Sequence, residues 1–141
     1  MKSLKDMSIL VTGGGSGIGL GTARYCIEHG AKVTICGRRE DKIQAAAAEL
    51  GDACRGVSAD ITVAADRQKL LEAAIDHGGP LDALVNNAGN MYRGAITELD
   101  ETALQEVFHT NVIAAMMLTG LCTPSLAKQQ GAVVFVGSIH T

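Results

Sequence analysis

A run of apolar residues that breaks into closely spaced glycines constrains the fold of this chain more than any other feature. The segment from Met7 to Gly19 reads Met-Ser-Ile-Leu-Val-Thr-Gly-Gly-Gly-Ser-Gly-Ile-Gly. Residues 7–11 suit one buried strand, and residues 20–27 carry apolar side chains at helical spacing. Glycines at positions 13, 15, 17 and 19 remove Cβ atoms from the turn between them. Because a helix N-terminus favours phosphate, we interpret the segment as a pyrophosphate-binding turn.

Two other interpretations of this turn are weaker. A Walker A loop ends in Lys-Ser or Lys-Thr, whereas Ile-Gly-Leu-Gly-Thr follows Gly17 here and no lysine lies between Lys5 and Lys32. Nucleoside triphosphate chemistry is therefore disfavoured. A glycine-rich turn that only reverses the chain is the other alternative, but the strand before it and the helix after it favour a dinucleotide.

The chain continues as an alternation of strand and helix patterns. Further strands are predicted at residues 31–36, 55–59, 81–85 and 132–136, and helices at 40–50, 62–77, 99–109 and from 111 onward. This alternation predicts an α/β fold, a Rossmann-type doubly wound parallel sheet with strand order 3-2-1-4-5 that ends at the fifth strand. We expect one NAD(P)-binding domain over residues 1–141.

Two motifs resemble those of the short-chain dehydrogenase/reductase family. Thr12 to Gly19 resembles its Thr-Gly-x-x-x-Gly-x-Gly motif, and Asn86-Asn87-Ala88-Gly89 resembles the tetrad that lies beside the cofactor and steadies the central sheet. An asparagine pair alone would be an ordinary turn former, but both motifs follow strands that end at one sheet edge. The predicted cofactor-binding residues are Gly13, Gly15, Ser16, Gly17, Ile18, Gly19, Arg38, Asp60, Ile61, Asn87, Ala88 and Gly89.

The resemblance also implies a catalytic set, of which half is present. In that family, hydride passes between a nicotinamide and a carbonyl or alcohol, a tyrosine shuttles the proton, and a lysine four residues later lowers the tyrosine pKa. A serine that ends the fifth strand bonds the reacting oxygen, and a helix asparagine holds a relay water; Ser138 and Asn111 match these two. Tyr25 and Tyr92 both lack a lysine four residues on. We expect that pair beyond residue 141, in a longer polypeptide.

Two functions from different classes follow. The parent protein is either an NAD(P)-dependent oxidoreductase acting on a small carbonyl or alcohol, or a nucleotide-binding module without catalysis. Because Ser138 and Asn111 stand in register with the family motifs, the first is favoured. The substrate itself is left open, since that family builds specificity largely in its C-terminal segment.

The end of the second strand bears on the choice of cofactor. An NAD enzyme places a carboxylate there to bind the adenosine ribose, but this chain has Gly37 followed by Arg38. A guanidinium can bind a 2′-phosphate through two charge-assisted hydrogen bonds, so NADP is predicted ahead of NAD. The alternatives are a solvated Arg38, or competition from Glu40 or Asp41. Asp60, which resembles the family's adenine-contacting aspartate, does not discriminate between the two.

Composition excludes several partners. The net charge is −3 and the charged residues are scattered without a basic stripe, so no nucleic acid is expected as a partner. The four cysteines lack metal or redox spacing and are interpreted as buried free thiols in a reducing, cytoplasmic setting, with no metal site. No uninterrupted apolar run reaches the roughly 18 residues of a membrane span, so no membrane is expected.

The helix from Asn111 to Ala127 is apolar nearly all round, which is typical of a helix buried on more than one side. Pro124 is expected to bend or end it. One sheet face can cover only part of this helix, and the resembled family pairs it across a dimer axis. We therefore expect a homo-oligomer, a dimer or tetramer, and an exposed apolar patch on the chain alone.

Overall fold

The structure of the protein, a computed structural model, describes residues 3–138. Five parallel strands form one sheet in the order β3-β2-β1-β4-β5, which confirms the predicted topology. The strands are β1 (Ser8–Thr12), β2 (Lys32–Gly37), β3 (Cys54–Ser58), β4 (Ala83–Asn86) and β5 (Ala132–Phe135). The carboxyl ends of β1 and β4 are neighbours, so the segments that follow them meet at one edge of the sheet.

Helices cover both faces of the sheet. They are α1 (Gly17–Glu28), α2 (Glu40–Leu50), α3 (Ala64–Gly78), α4 (Glu101–Phe108) and α5 (Ala114–Lys128). A 3₁₀ turn, Ile96–Glu98, precedes α4, and one π-helical turn, His109–Ile113, joins α4 to α5. The boundaries differ from the sequence prediction by one or two residues for most elements, whereas α2 has the predicted bounds.

Alternation along β1 separates the core into two layers. Ile9 and Val11 pack with Ile35 and Ile43 on the side of α1 and α2. Leu10 packs on the opposite side, in a cluster that includes residues of α3 and α5. Side chains that alternate in direction along a central strand thus require helices on both faces, which is what positions a crevice at the carboxyl edge.

Pro124 was expected to bend or end the last helix, and the second of these alternatives is wrong, since α5 continues through it to Lys128. Pro124 lies on the exposed side, where water can satisfy the carbonyl that loses its donor. Buried Leu118, Cys122 and Leu126 hold the helix against the sheet on both sides of the proline. Packing therefore overrides the local breaker.

The opposite side of α5 is not buried, which confirms the exposed apolar patch expected on the chain alone. Met116 and Met117 are 65% and 53% exposed. The continuous helical run Glu101–Lys128 is also long and apolar enough to cross a membrane by length and composition. A core helix passes the same test, and α5 packs against the sheet through the residues named above.

All four cysteines are free and buried, as predicted. Burial raises the pKa of the Cys36 thiol from 9.0 to about 12, opposed by a backbone hydrogen bond from Gly13. The folded state therefore keeps a proton that the unfolded chain releases above pH 9. Stability from this group is complete below pH 9 and is lost as the pH rises toward 12.

We accordingly expect the free energy of unfolding to fall above pH 9 with a contribution from Cys36 of up to about 1.4 kcal/mol per pH unit. Urea unfolding of wild type and Cys36→Ala at pH 8 and pH 10 measures this. The cavity left by alanine is independent of pH, so the difference between the two proteins should shrink at pH 10. Parallel pH profiles would contradict the expectation.

Candidate dinucleotide-binding site

The glycine turn after β1 has a backbone that only glycine adopts easily. Gly13 and Gly17 have φ angles of 62° and 54°, in the left-handed region. Ser16 precedes α1 in an extended conformation and makes no side-chain capping bond within the described chain. The first-turn amides of α1 have no intrahelical partner, so they can donate hydrogen bonds to phosphate oxygens.

Hydrogen bonds tie the asparagine tetrad to this turn. The Asn87 Nδ2 atom donates to the carbonyl oxygens of Thr12 and Gly13, both at 3.1 Å. The Thr12 hydroxyl accepts from the backbone amides of Asn87 at 3.0 Å and Ala88 at 2.9 Å. The loops after β1 and β4 are thus fixed to each other, and the side chain of Asn87, which was predicted to bind the cofactor, holds the glycine turn.

A cavity of about 760 Å³ opens at this edge of the sheet, within the size range of ligand sites. It brings together eight of the predicted cofactor-binding residues: Gly13, Gly15, Ser16, Arg38, Asp60, Ile61, Ala88 and Gly89. Gly17 and Ile18 lie exposed at the start of α1, outside the cavity lining. Gly19 is buried, and a Cβ there would lie 2.5 Å from Asn87 Nδ2, so its role is close packing of helix against loop.

Sequence reasoning missed several lining residues. They are Arg39, Lys42, Thr62, Asn90, Glu106, His109 and Thr110. Two pairs among them could have been found from their spacing in the sequence. Arg39 and Lys42 are three residues apart, as are Glu106 and His109, so the members of each pair share a helix face. The other lining residues depend on loop geometry that spacing does not encode.

The end of the cavity beside β2 is cationic. Arg38, Arg39 and Lys42 line it, and none of them forms an ion pair within residues 3–138. Glu40 accepts a hydrogen bond from Gln44 at 3.2 Å, and the cavity lining over the same residues includes neither Glu40 nor Asp41. The three cations are therefore not neutralised by the neighbouring carboxylates.

Asp60 provides an acceptor in the lining of the cavity. Its Oδ1 atom accepts from the Thr62 hydroxyl at 2.7 Å and the Thr62 amide at 2.9 Å. The Thr62 hydroxyl, and more weakly the charges of Arg38 and His109, hold the pKa of Asp60 below its usual range against partial burial. Asp60 is therefore ionised at neutral pH and can accept hydrogen bonds from a ligand.

The two predicted catalytic residues lie outside this cavity. Asn111, in the π-helical turn, accepts from the Asn90 amide at 2.7 Å and donates to the Asn90 carbonyl at 2.8 Å. Its side chain therefore fastens the loop after β4 to the helix. Ser138 is exposed beyond the carboxyl end of β5, where Val136 still bonds Asn86. Ser138 thus lies at the carboxyl edge of the sheet, where the sequence predicted it. The catalytic roles of Ser138 and Asn111 stay predictions.

Comparison with known proteins identifies the family. A family model described as short chain dehydrogenase matches residues 7–141. The chain belongs to the short-chain dehydrogenase family. Its glycine turn and asparagine tetrad, which resemble two motifs of that family, are in contact through Thr12 and Asn87.

Several curated dehydrogenases resemble the chain over nearly its whole length. It is 39% identical to serine 3-dehydrogenase of Agrobacterium fabrum over 135 residues, which is 94% of this chain and 53% of that protein. It is 31% identical to a 3-phenylpropionate-dihydrodiol/cinnamic acid-dihydrodiol dehydrogenase of Escherichia coli, covering 96% of this chain and 52% of the relative. The chain therefore spans about half the length of these relatives.

Solved structures show the same fold. A 3-ketoacyl-(acyl-carrier-protein) reductase from Brucella melitensis, complexed with NADH, has a TM-score of 0.91 at 32% identity, covering 96% of this chain and 59% of that one. A short-chain dehydrogenase/reductase of unknown function from Caenorhabditis elegans, solved with cofactor, has a TM-score of 0.89 at 26% identity, covering 96% and 54%.

The residues of this short-chain dehydrogenase chain fit a nicotinamide dinucleotide. The glycine turn leaves a helix N-terminus for the pyrophosphate, and an ionised Asp60 lines the cavity. The three cations at the β2 end supply charge that a phosphate would neutralise. Each feature lies on a different element, and the sheet edge brings them into one crevice.

Proposed function

We propose that this chain is the dinucleotide-binding part of an NADP-dependent oxidoreductase that transfers hydride between the nicotinamide and a small carbonyl or alcohol substrate. The observation that carries the proposal is the cluster of Arg38, Arg39 and Lys42 beside Gly37, where an NAD enzyme needs a carboxylate. NAD is the second choice of cofactor.

The chain's own residues divide the work of binding. The amides at the start of α1 bind the pyrophosphate, Asp60 and Ile61 hold the adenosine, and the cation cluster binds the 2′-phosphate. The cofactor supplies the hydride or accepts it. Asn111 holds the loop at Asn90, which forms one wall of the crevice.

Ser138 is the chain's own contribution to the chemistry in this proposal. Its hydroxyl, at the carboxyl end of β5, would donate a hydrogen bond to the substrate oxygen and hold it for proton transfer. A proton donor of tuned pKa is still required, and neither tyrosine of the sequence is followed four residues later by lysine. We propose that the rest of the polypeptide supplies that pair.

A dinucleotide-binding module without catalysis is the alternative, favoured by the absence of a Tyr-x-x-x-Lys pair from the 141 residues. The open reading frame decides between them directly. Ten to twenty further residues that contain such a pair favour the oxidoreductase, whereas a stop codon before it favours the module.

The 141-residue chain alone is expected to bind NADPH and to show no turnover, because an alkoxide without a proton donor has no route to neutrality. Binding is measured by the fluorescence of NADPH, and turnover by its absorbance with a panel of aldehydes, ketones and hydroxy acids. Carbonyl reduction that disappears in Ser138→Ala would contradict the expected inactivity. Failure to bind either cofactor would contradict the proposed function itself.

We also propose that the protein forms a homo-oligomer through an apolar outer face on the helical run Glu101–Lys128. That face is defined by the exposed residues Phe108, Val112, Ile113, Met116 and Met117. Contiguous exposed apolar surface of this kind marks an interface, and on the isolated chain it promotes aggregation.

Met116→Lys is expected to raise the concentration at which the 141-residue chain aggregates several-fold, since it puts a charge within the apolar outer face. Light scattering measures this, with Met91→Lys as the matched control because Met91 is 72% exposed but lies on the loop after β4. Sedimentation of the full-length protein tests the assembly. A monomer at micromolar concentration would contradict it.

A further inference from the structure

The turn that follows β3 is held from beneath by α3. Asp60, Ile61 and Thr62, here called the adenosine turn, all line the cavity. The Arg67 Nη1 atom donates to the carbonyl oxygen of Ile61 at 2.8 Å. Asp66, its neighbour in α3, accepts from the Asp60 amide at 2.8 Å. We infer that Arg67 is a positioning residue that fixes the adenosine turn for the cofactor, an inference that rests on the proposed function.

Fold stability does not explain an arginine at this position. The Arg67 residue is only 9% exposed, and burial of a cation costs free energy unless it is paired. No ion pair to Arg67 occurs among residues 3–138. Arg67 is also the fourth residue of α3, close to the positive end of the helix dipole, where a cation is unfavourable. Burial and the helix dipole thus both disfavour Arg67, and its one side-chain hydrogen bond within residues 3–138 goes to the adenosine turn.

The geometry shows how this bond reaches the cavity. The carbonyl of Ile61 and the amide of Thr62 belong to one planar peptide unit. Arg67 binds the oxygen of that peptide unit, and the Thr62 N–H of the same unit donates to Asp60 Oδ1 at 2.9 Å. Fixing the peptide plane therefore fixes the direction of the N–H and, with it, the orientation of the Asp60 carboxylate. Arg67 acts on the ligand-facing acceptor through one rigid peptide, without touching the cavity.

Lys69 offers a matched control on the same helix. Its Nζ atom donates to the Ser58 carbonyl at 2.8 Å, so Lys69→Met also removes a cation that binds a backbone oxygen near the end of β3. Ser58 lies outside the cavity lining over residues 3–138. Arg67→Met and Lys69→Met thus each remove a hydrogen bond from a cation to a backbone carbonyl. Only the carbonyl that Arg67 binds belongs to the adenosine turn.

The experiment measures binding of adenosine 2′,5′-bisphosphate and of nicotinamide mononucleotide to wild type, Arg67→Met, Arg67→Lys and Lys69→Met. Hydrogen exchange of the Thr62 amide is followed in each ligand-free protein. We expect Arg67→Met to weaken adenosine 2′,5′-bisphosphate roughly fivefold to tenfold, a typical coupling within one hydrogen-bond network. Nicotinamide mononucleotide binding should not change, and Thr62 exchange should accelerate while core amides keep their rates.

Arg67→Lys keeps a donor and a charge, so it should recover part of the affinity and of the protection at Thr62. Lys69→Met should leave Thr62 exchange at its wild-type rate, because the Ser58 carbonyl that Lys69 binds precedes the adenosine turn. Equal losses for the two ligands, in step with a lower urea midpoint, would show a merely structural residue and overturn the inference, as would unchanged Thr62 exchange in Arg67→Met. If wild type binds neither ligand, the proposed function fails, and the exchange data still decide whether Arg67 fixes the turn. Should Arg67→Met not fold, Arg67→Lys and Lys69→Met carry the comparison.

Discussion

Arg38→Ala is expected to weaken NADPH binding by about 1.5–3 kcal/mol and to leave NADH binding nearly unchanged. This is the typical contribution of a hydrogen bond to a charged group, and it corresponds to a loss of roughly 10- to 150-fold in affinity. The selectivity follows because only the 2′-phosphate of NADPH requires a cation at this position. Arg38 lines the cavity and forms no ion pair within the described residues, so its guanidinium is free to bind that phosphate.

Titration of wild type and variant with both cofactors measures the effect. Arg55→Ala is the matched control, because Arg55 pairs with Asp76 at 2.7 Å and lies outside the cavity lining of residues 3–138. It should change neither affinity. Equal losses for NADPH and NADH in Arg38→Ala, or a wild type that prefers NADH, would contradict the assignment of NADP.

The reciprocal change adds the acceptor that is missing. A Cβ at Gly37 would lie 3.5 Å from the Ile43 Cδ1 atom, an ordinary contact, so the backbone has room for a side chain there. Gly37→Asp should strengthen NADH binding through the ribose hydroxyls and weaken NADPH binding by repulsion of the 2′-phosphate. Combined with Arg38→Ala, it should reverse the preference. A combined variant that still prefers NADPH would show that Arg39 and Lys42 dominate.

The sheet could be predicted because its signals are local. Each strand is a short apolar run, and glycines mark helix ends, as Gly30 and Gly51 do with φ angles of 94° and 88°. Alternation of strand and helix then leaves few possible topologies, so the strand order could be predicted from the sequence. Pro124 shows the limit of such reasoning. Helix α5 continues through this proline because Leu118 and Leu126, on either side of it, are packed in the core.

The candidate site was predicted in part for the same reason. Residues that lie within two positions of a strand end, such as Gly13 and Ala88, could be assigned to the sheet edge from topology alone. Contacts between distant segments could not. The pairing of Asn111 with the backbone of Asn90 and the bond from Arg67 to Ile61 depend on the paths of a loop and a turn, which residue spacing does not specify.

Gly19→Ala is expected to destabilise the protein by about 3 kcal/mol, the upper end of the usual cost of overpacking. Its Cβ would lie 2.2 Å from the carbonyl oxygen of Gly13 and 2.5 Å from the Nδ2 atom of Asn87. Neither atom can move cheaply, because Asn87 Nδ2 itself donates to that oxygen and to the Thr12 carbonyl. The substitution must therefore break the link between the loops after β1 and β4.

Alanine substitutions at two other glycines of the same turn are expected to destabilise the protein less. Gly17→Ala meets no atom within 4 Å but has a φ of 54°, so it should cost about 1–2 kcal/mol from backbone strain alone. Gly15→Ala has neither problem, since its Cβ would lie 3.5 Å from Ile43 Cδ1, and its effect should stay within about 0.5 kcal/mol. Urea unfolding of the three variants gives the order of destabilisation, Gly19 above Gly17 above Gly15. A Gly19→Ala protein as stable as Gly15→Ala would mean that close packing between helix, turn and tetrad does not hold the crevice together, and that the link through Asn87 contributes little to it.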